Sequence, residues 1–237
     1  MAERVKKDNR DPKLVIAQRV AKELHDGDVV NLGIGVPILV ANNLPEGVGI
    51  VLHSENGLVG LGSAAEKGKE DPDIINAGAA YATMEPYAMC LDSATSFGII
   101  RGGHVDATVL GALEVDEKGN IANWIVPGKL VPGMGGAMDL VVGAKKVIIS
   151  MMHTNVIKDK ETGEVKRIEK KLLKECRLPL TAVGVVDLII TEMCVIAVTD
   201  KGFVLKELHP DYTVQDVLDA TEADVIVPDD LKEMAIV

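Results

Sequence analysis

The chain has 237 residues, enough for one large α/β domain or two small ones. Apolar residues make up 47% and aromatics only 3%, so the core is built from Val, Ile, Leu, Ala and Met, which together with 23 Gly suits a parallel sheet wrapped by helices. A net charge of -11 argues against nucleic acid and against an anionic membrane surface, while leaving room for a small anion held by a local site.

Residues 1–13 are charged and lack the apolar centre of a signal peptide. No run approaches the roughly 18 apolar residues of a membrane span, so we expect a cytoplasmic protein. Leu14, Ala17, Ala21 and Leu24 are spaced for an amphipathic helix over 12–25, closed by Asp26-Gly27. A strand is predicted over 28–32. Gly33-Ile34-Gly35-Val36-Pro37 then turns the chain into a second helix, with Pro37 in its first turn.

A second buried strand is predicted over 48–52, ending at Ser54-Glu55-Asn56-Gly57, and a polar loop over 65–73 follows. Further on, a helix is expected over 93–100, strands over 105–115 and 121–126, and a Gly/Pro-rich loop over 127–136. A short helix over 137–144 and a strand over 146–152 come next. The charged stretch 158–171 reads as a hairpin with Thr162-Gly163 at its tip. Strands over 187–191, 195–199 and 203–208 and a helix over 213–220 complete the pattern. With no repeat and no linker, we expect one domain over 1–237. Its fold class is α/β, an open, mostly parallel sheet flanked by helices with antiparallel additions.

Three constellations stand out. Ser54-Glu55-Asn56-Gly57 places a carboxylate where a strand gives way to a turn, the place where open α/β sheets keep their chemistry. Asn-Gly is also a common turn pair, so the motif reads equally as a plain turn. As chemistry, a glutamate is ordinarily ionised at neutral pH and attacks an activated acyl group without a general base. Gly33-x-Gly35 has Ile38 where a dinucleotide fingerprint needs its third glycine, so it matches that motif weakly. It also reads as a Gly-rich strand-to-helix turn, with Asn31 pointing its amide into the same cleft. Gly133-Met134-Gly135-Gly136, just before a helix start, offers backbone N–H groups to an oxyanion, or is an irregular loop.

His53, His104, His153 and His209 have no metal-ligand spacing and are read as structural, and no metal is proposed. Cys90, Cys176 and Cys194 form no C-x-x-C pair and are read as reduced, mostly buried thiols.

Taken together, the chain resembles the β subunit of family I CoA transferases, the 3-oxoacid, acetate–acetoacetate and 3-oxoadipate group. The resemblance rests on Asn31-Leu32-Gly33-Ile34-Gly35-Val36-Pro37, Ser54-Glu55-Asn56-Gly57, Asn76-Ala77-Gly78 and Ile100-Arg101-Gly102-Gly103-His104. It continues in Ala122-Asn123-Trp124, Pro127-Gly128-Lys129 and Gly135-Gly136-Ala137-Met138-Asp139-Leu140. The order and spacing hold over residues 13–225.

The resemblance implies that Glu55 is the catalytic glutamate, that Gly136 supplies an oxyanion-hole N–H, and that Asn31 lines the active site. Gly33 and Gly35 are then a close-packing turn beside the site. Ser54, Asn56 and Gly135 join the substrate and CoA-binding set. It also implies ping-pong transfer of CoA between a short acyl-CoA and an acid such as acetate, butyrate or acetoacetate, through a glutamyl-CoA thioester. No cofactor is needed beyond the CoA thioester substrate. The implied partner is an α subunit, in an α2β2 or larger hetero-oligomer.

Against the family pattern, Ala79 stands where many relatives carry Lys or Ala, so a Lys contact to CoA is missing, and the chain departs at Met152 and in Glu85-Pro86-Tyr87-Ala88-Met89. Read as a loop lining the acyl pocket, the last stretch implies an acid smaller or more polar than acetoacetate, including one bearing an amine. Acyl-CoA hydrolysis and a ligand-sensing scaffold are the competing functions.

Overall fold

The computed structural model describes residues 8–128, 133–159 and 161–236. Residues 1–7, Lys129 of the Pro127-Gly128-Lys129 match, and Lys160 of the charged stretch lie outside them. The first half of the chain contains α1 (Pro12–Ala21), β1 (Val29–Leu32), a 3-10 helix (Val36–Asn43), β2 (Val51–Ser54), β3 (Leu58–Ala64), β4 (Ala82–Cys90), α2 (Ser93–Arg101), β5 (Ala107–Leu110), β6 (Glu114–Asp116) and β7 (Ile121–Ala122). The second half contains α3 (Ala137–Gly143), β8 (Val147–Ser150), β9 (Thr154–Lys158), β10 (Val165–Lys170), β11 (Leu172–Leu173), β12 (Leu188–Ile190), β13 (Cys194–Thr199), β14 (Gly202–Leu208), α4 (Val214–Ala220), β15 (Val225–Ile226) and β16 (Lys232–Glu233).

The main sheet runs β15-β14-β13-β12-β8-β5-β1-β2-β3-β4, with β16 also beside β14. Its centre, β12-β8-β5-β1-β2, is parallel. β5 and β8 are buried at every position, as strands covered on both faces must be. Antiparallel pairs extend the sheet on both sides, β12-β13-β14 at one end and β2-β3-β4 at the other.

Each face buries its own apolar cluster. Below the sheet, α1 packs Ile16, Ala17 and Val20 against Val30, Val109 and Ile148. Asp11 caps this helix by accepting from Lys13 N–H, and Pro12 opens it, where its missing N–H costs nothing. On the other face, Ile100 of α2 and Leu140 and Val141 of α3 join Leu110, Val147 and Ile149. Each fully buried Ile or Leu contributes about 1.5–3 kcal/mol, so together these faces dominate the stability of the sheet.

Several elements differ from expectation. The first helix ends at Ala21, not 25. The helix expected after Pro37 is a 3-10 helix. The strand expected over 48–52 begins at Val51 and runs through Ser54, so Glu55 is the first residue past its end. The segment 105–115 divides into β5 and β6, and 121–126 supplies only the two residues of β7. Residues 85–89 are not a loop. They lie within β4, an edge strand exposed along most of its length, and its exposure removes the alternation that marks half-buried strands. Pro86 is tolerated there because an edge strand need not donate on its open side. Among the described residues, no helix is long and apolar enough to cross a membrane.

Candidate active site

β1, β2 and β5 end side by side, and a cavity of about 750 Å³ opens at their carboxyl ends. Asn31 is the third residue of β1 and is buried. A buried amide must find partners, and Asn31 Nδ2 donates to His53 O (3.1 Å) and to Glu55 Oε2 (3.0 Å). The half-buried Glu55 is thereby fixed to the neighbouring strand, with its carboxylate on the cavity wall.

The turn that carries Glu55 depends on Gly57. Its N–H donates to Ser54 O (3.0 Å), and its O accepts from Leu91 N–H (2.7 Å). Its φ is +124°, and an added β-carbon would stand 2.2 Å from Leu91 O, so only glycine fits. The turn and the placement of Glu55 on the cavity wall are therefore one feature.

Gly136 is the N-cap of α3, and no side chain caps that end, where backbone N–H groups are left without helical partners. A β-carbon on Gly136 would lie 2.9 Å from Glu55 Cγ and 3.3 Å from Glu55 Oε1, so only glycine leaves the carboxylate its place beside the start of α3. Gly135 and Gly136 both line the cavity, as do Asn31, Gly33, Ser54 and Glu55. Gly33 packs against Leu110 and Val109 O, which gives its turn a close approach to β5.

Gly35 and Asn56 do not line the cavity. Gly35 serves the turn into the 3-10 helix with φ +93°, and Asn56 Nδ2 donates away from the cavity wall to Ile75 O (2.8 Å). Glu85 and Tyr87 are also absent from the lining, which takes Tyr81 and Ala82 from the start of that segment instead. Of the two placements open for Glu85 and Tyr87, the substrate pocket or a subunit interface, neither is decided by this chain alone; they do not line its own cavity.

Among the wall segments outside the expected site residues are two with polar side chains. Asn76, Ala77, Gly78 and Ala80 form one side, and Asn123 contributes another, held by Thr181 Oγ1 donating to its Oδ1 (2.7 Å). Both belong to the stretches that carry the family resemblance, but nothing in their spacing points to a cleft.

His53 is buried beside the site, and its Nε2 lies 3.0 Å from Ser96 Oγ. Burial pushes its imidazole below the ordinary range against the opposing pull of the Glu55 carboxylate, so it stays neutral at neutral pH. Of the thiols, Cys194 is buried and pushed up to about 12 by desolvation, Cys176 is half-buried and likewise pushed up to about 12, and Cys90 is exposed, contrary to expectation. Among the described residues, no group of three or more His, Cys, Asp or Glu is placed to hold a metal ion.

A half-buried carboxylate thus stands at a parallel strand end, beside a glycine helix start and on the wall of an apolar cleft, surroundings in which a carboxylate can meet an acyl group. Residues 13–220 match the Coenzyme A transferase family, and the chain belongs to it. It is 51% identical over 224 residues to the beta subunit of the acetate CoA-transferase of Haemophilus influenzae, covering 94% of this chain and 96% of that one. It is 48% identical over 209 residues to one subunit of the succinyl-CoA:3-ketoacid coenzyme A transferase of Helicobacter pylori, covering 88% and 96%. In fold it is similar to an acyl-CoA transferase apoenzyme from Escherichia coli O157:H7, with a TM-score of 0.71 and 24% identity. That match covers 95% of this chain and 43% of the longer E. coli chain.

Proposed function

We propose that this chain is the catalytic subunit of a CoA transferase that moves CoA between a short acyl-CoA and a free acid such as acetate, butyrate or a 3-oxoacid. One observation carries the reading: Glu55 lies at the end of β2, tied to Asn31, beside the side-chain-free Gly136, and facing the cavity.

In the first step a Glu55 carboxylate oxygen attacks the thioester carbon. The C–S bond breaks, CoA leaves as the thiolate, and Glu55 becomes a mixed anhydride. The thiolate then attacks the Glu55 carbonyl carbon. The anhydride C–O bond breaks, the first acid leaves as its carboxylate, and a glutamyl-CoA thioester remains. A second carboxylate runs these steps in reverse. Carboxylate and thiolate exchange in both halves, so charge balances with no net proton transfer. Each attack passes through an oxyanion, and the backbone N–H of Gly136 is the donor we assign to it; removing one such donor typically costs about 3–4 kcal/mol.

The E. coli chain matched in fold is more than twice as long as the segment matched here, and each bacterial relative named above is one subunit of its enzyme. Both facts support a partner for this chain, which we assign as an α subunit in an α2β2 or larger assembly.

The test is transfer by the assembled complex, assayed alongside CoA release. Glu55→Ala should abolish transfer. Glu55→Asp withdraws the carboxylate by about 1.5 Å against a near-attack requirement of about 3–3.5 Å, and should be severely impaired. Near wild-type transfer by Glu55→Ala, or CoA release without transfer by the wild type, contradicts the assignment.

A further inference from the structure

Residues 75–80 form a tight reversal whose ends pair as an isolated antiparallel bridge between Ile75 and Tyr81. Inside it, Asn76 N–H donates to Ala80 O (2.9 Å) and Ala79 N–H to Asn76 O (2.9 Å). Asn76 Oδ1 accepts from Gly78 N–H (2.9 Å) and Ala80 N–H (3.1 Å). Ala79 takes φ +60°, a conformation that residues with a β-carbon adopt only when their surroundings impose it. The loop is therefore internally rigid. Yet Ala77, Gly78, Ala79 and Ala80 are all exposed, so buried apolar area does not hold it to the body.

Its far end is tied beside β3 by Ala65 N–H donating to Tyr81 O (3.2 Å). Among the described residues two side-chain hydrogen bonds hold its near half, both from the residues flanking Glu55. Ser54 Oγ accepts from Ala77 N–H (2.9 Å), and Asn56 Nδ2 donates to Ile75 O (2.8 Å). The loop presents Asn76, Ala77, Gly78 and Ala80 to the cavity, and Gly78 sits against Ile34, another wall residue. The wall so formed is made of small side chains and backbone, which leaves its position as the main determinant of the space available.

We propose that Ser54 and Asn56 are positioning residues that tie the 75–80 loop to both sides of Glu55, and that the loop so held limits the chain length of the acid admitted there. The inference rests on the transferase reading above and deepens it. It also gives Asn56, which does not line the cavity, a role in selectivity. Ser54 holds the wall as well as forming part of it.

The experiment uses the assembled complex and reads two quantities. Amide exchange of peptides spanning 74–82 reports the loop without requiring turnover. The ratio of kcat/KM for hexanoate over acetate reports selectivity. Ser54→Ala and Asn56→Ala should both speed exchange in 74–82 and raise the ratio by about tenfold, the scale on which an apolar pocket discriminates small changes of size. Ser54→Thr, which keeps the hydroxyl acceptor, should restore both quantities towards wild type. If the alanine variants speed exchange but lower the rates for all acids equally, the selectivity role is overturned while the Glu55 chemistry stands. If exchange is unchanged in both, the tie itself is overturned. Loss of wild-type transfer is read in the separate Glu55 assay and bears on the reaction, not on the loop.

Discussion

Gly136 leaves no room for a side chain beside Glu55: a β-carbon there would stand 2.9 Å from Glu55 Cγ. Real β-carbons do not approach so closely, so Gly136→Ala must displace the carboxylate or the start of α3. Nucleophile and acceptor carbon need to meet within about 3–3.5 Å, and a misplacement on the order of 1 Å costs about 100-fold in rate. We expect Gly136→Ala to lower kcat by about that factor while the melting temperature of the complex stays close to wild type. An unchanged kcat would contradict this crowding.

Asn31 acts on the same carboxylate from the other side. Asn31→Ala leaves both His53 O and Glu55 Oε2 without their shared donor. A hydrogen bond to a charged group is worth about 1.5–3 kcal/mol, which corresponds to roughly a 10–100-fold fall in kcat/KM. Steady-state kinetics on the complex checks this, with an Asn31→Ala rate within twofold of wild type as the contrary result.

Gly57 and Gly35 both have positive φ but differ in their surroundings. At Gly57 a methyl group meets Leu91 O at 2.2 Å, whereas at Gly35 nothing lies within 4 Å. Gly35→Ala should cost only backbone strain, about 1–3 kcal/mol, because φ +93° with ψ −123° lies outside the left-handed helical region and is open essentially to glycine alone. Gly57→Ala adds a backbone collision to strain of that kind and should cost more, on the order of 4 kcal/mol or above. Denaturant titration of the two variants checks the order; equal losses would contradict it.

His153 predicts how stability depends on pH. It is buried, with its ring nitrogens 3.0 Å from Thr191 Oγ1 and 2.9 Å from Thr221 Oγ1. Burial, and then the nearby Lys171 charge, lower its pKa from 6.5 to about 4. Between those values the unfolded chain binds a proton that the folded chain does not. Stability therefore falls as pH drops from 6.5 towards 4, by up to about 1.4 kcal/mol per pH unit from this one group. His153→Gln should be less stable at pH 7 but show a flatter dependence across that window. Urea melts from pH 7 to 4.5 read the slope, and an equally steep slope in His153→Gln would contradict the assignment.

Much of this fold is legible in the sequence because burial imposes periodicity. α1, α2, α3 and α4, the central strands β1, β5, β8 and β12, and the hairpin around Thr162-Gly163 all follow from apolar spacing, caps and turn residues. β3 and β4 are not legible. An exposed edge strand has no face to bury, and Tyr81, Met84, Tyr87 and Met89 lie open on β4 and its approach without alternation. At the site, the Ser54-Glu55-Asn56-Gly57 turn and the glycines before α3 are legible as local chemistry. The bond from Ala77 N–H to Ser54, 23 residues away, is not, since spacing carries no trace of a side chain reaching a distant backbone amide. For the same reason the sequence alone places Asn56 in the binding set, although its amide faces Ile75 O.

The central claim is that Glu55 carries CoA covalently. The direct measurement is peptide mass spectrometry of the complex mixed with an acyl-CoA, with and without borohydride. The account predicts a CoA adduct on the peptide containing Glu55, replaced after borohydride by the alcohol of a reduced glutamyl thioester at that residue. An active complex in which Glu55 stays unmodified, or in which the adduct maps to another residue, would contradict it.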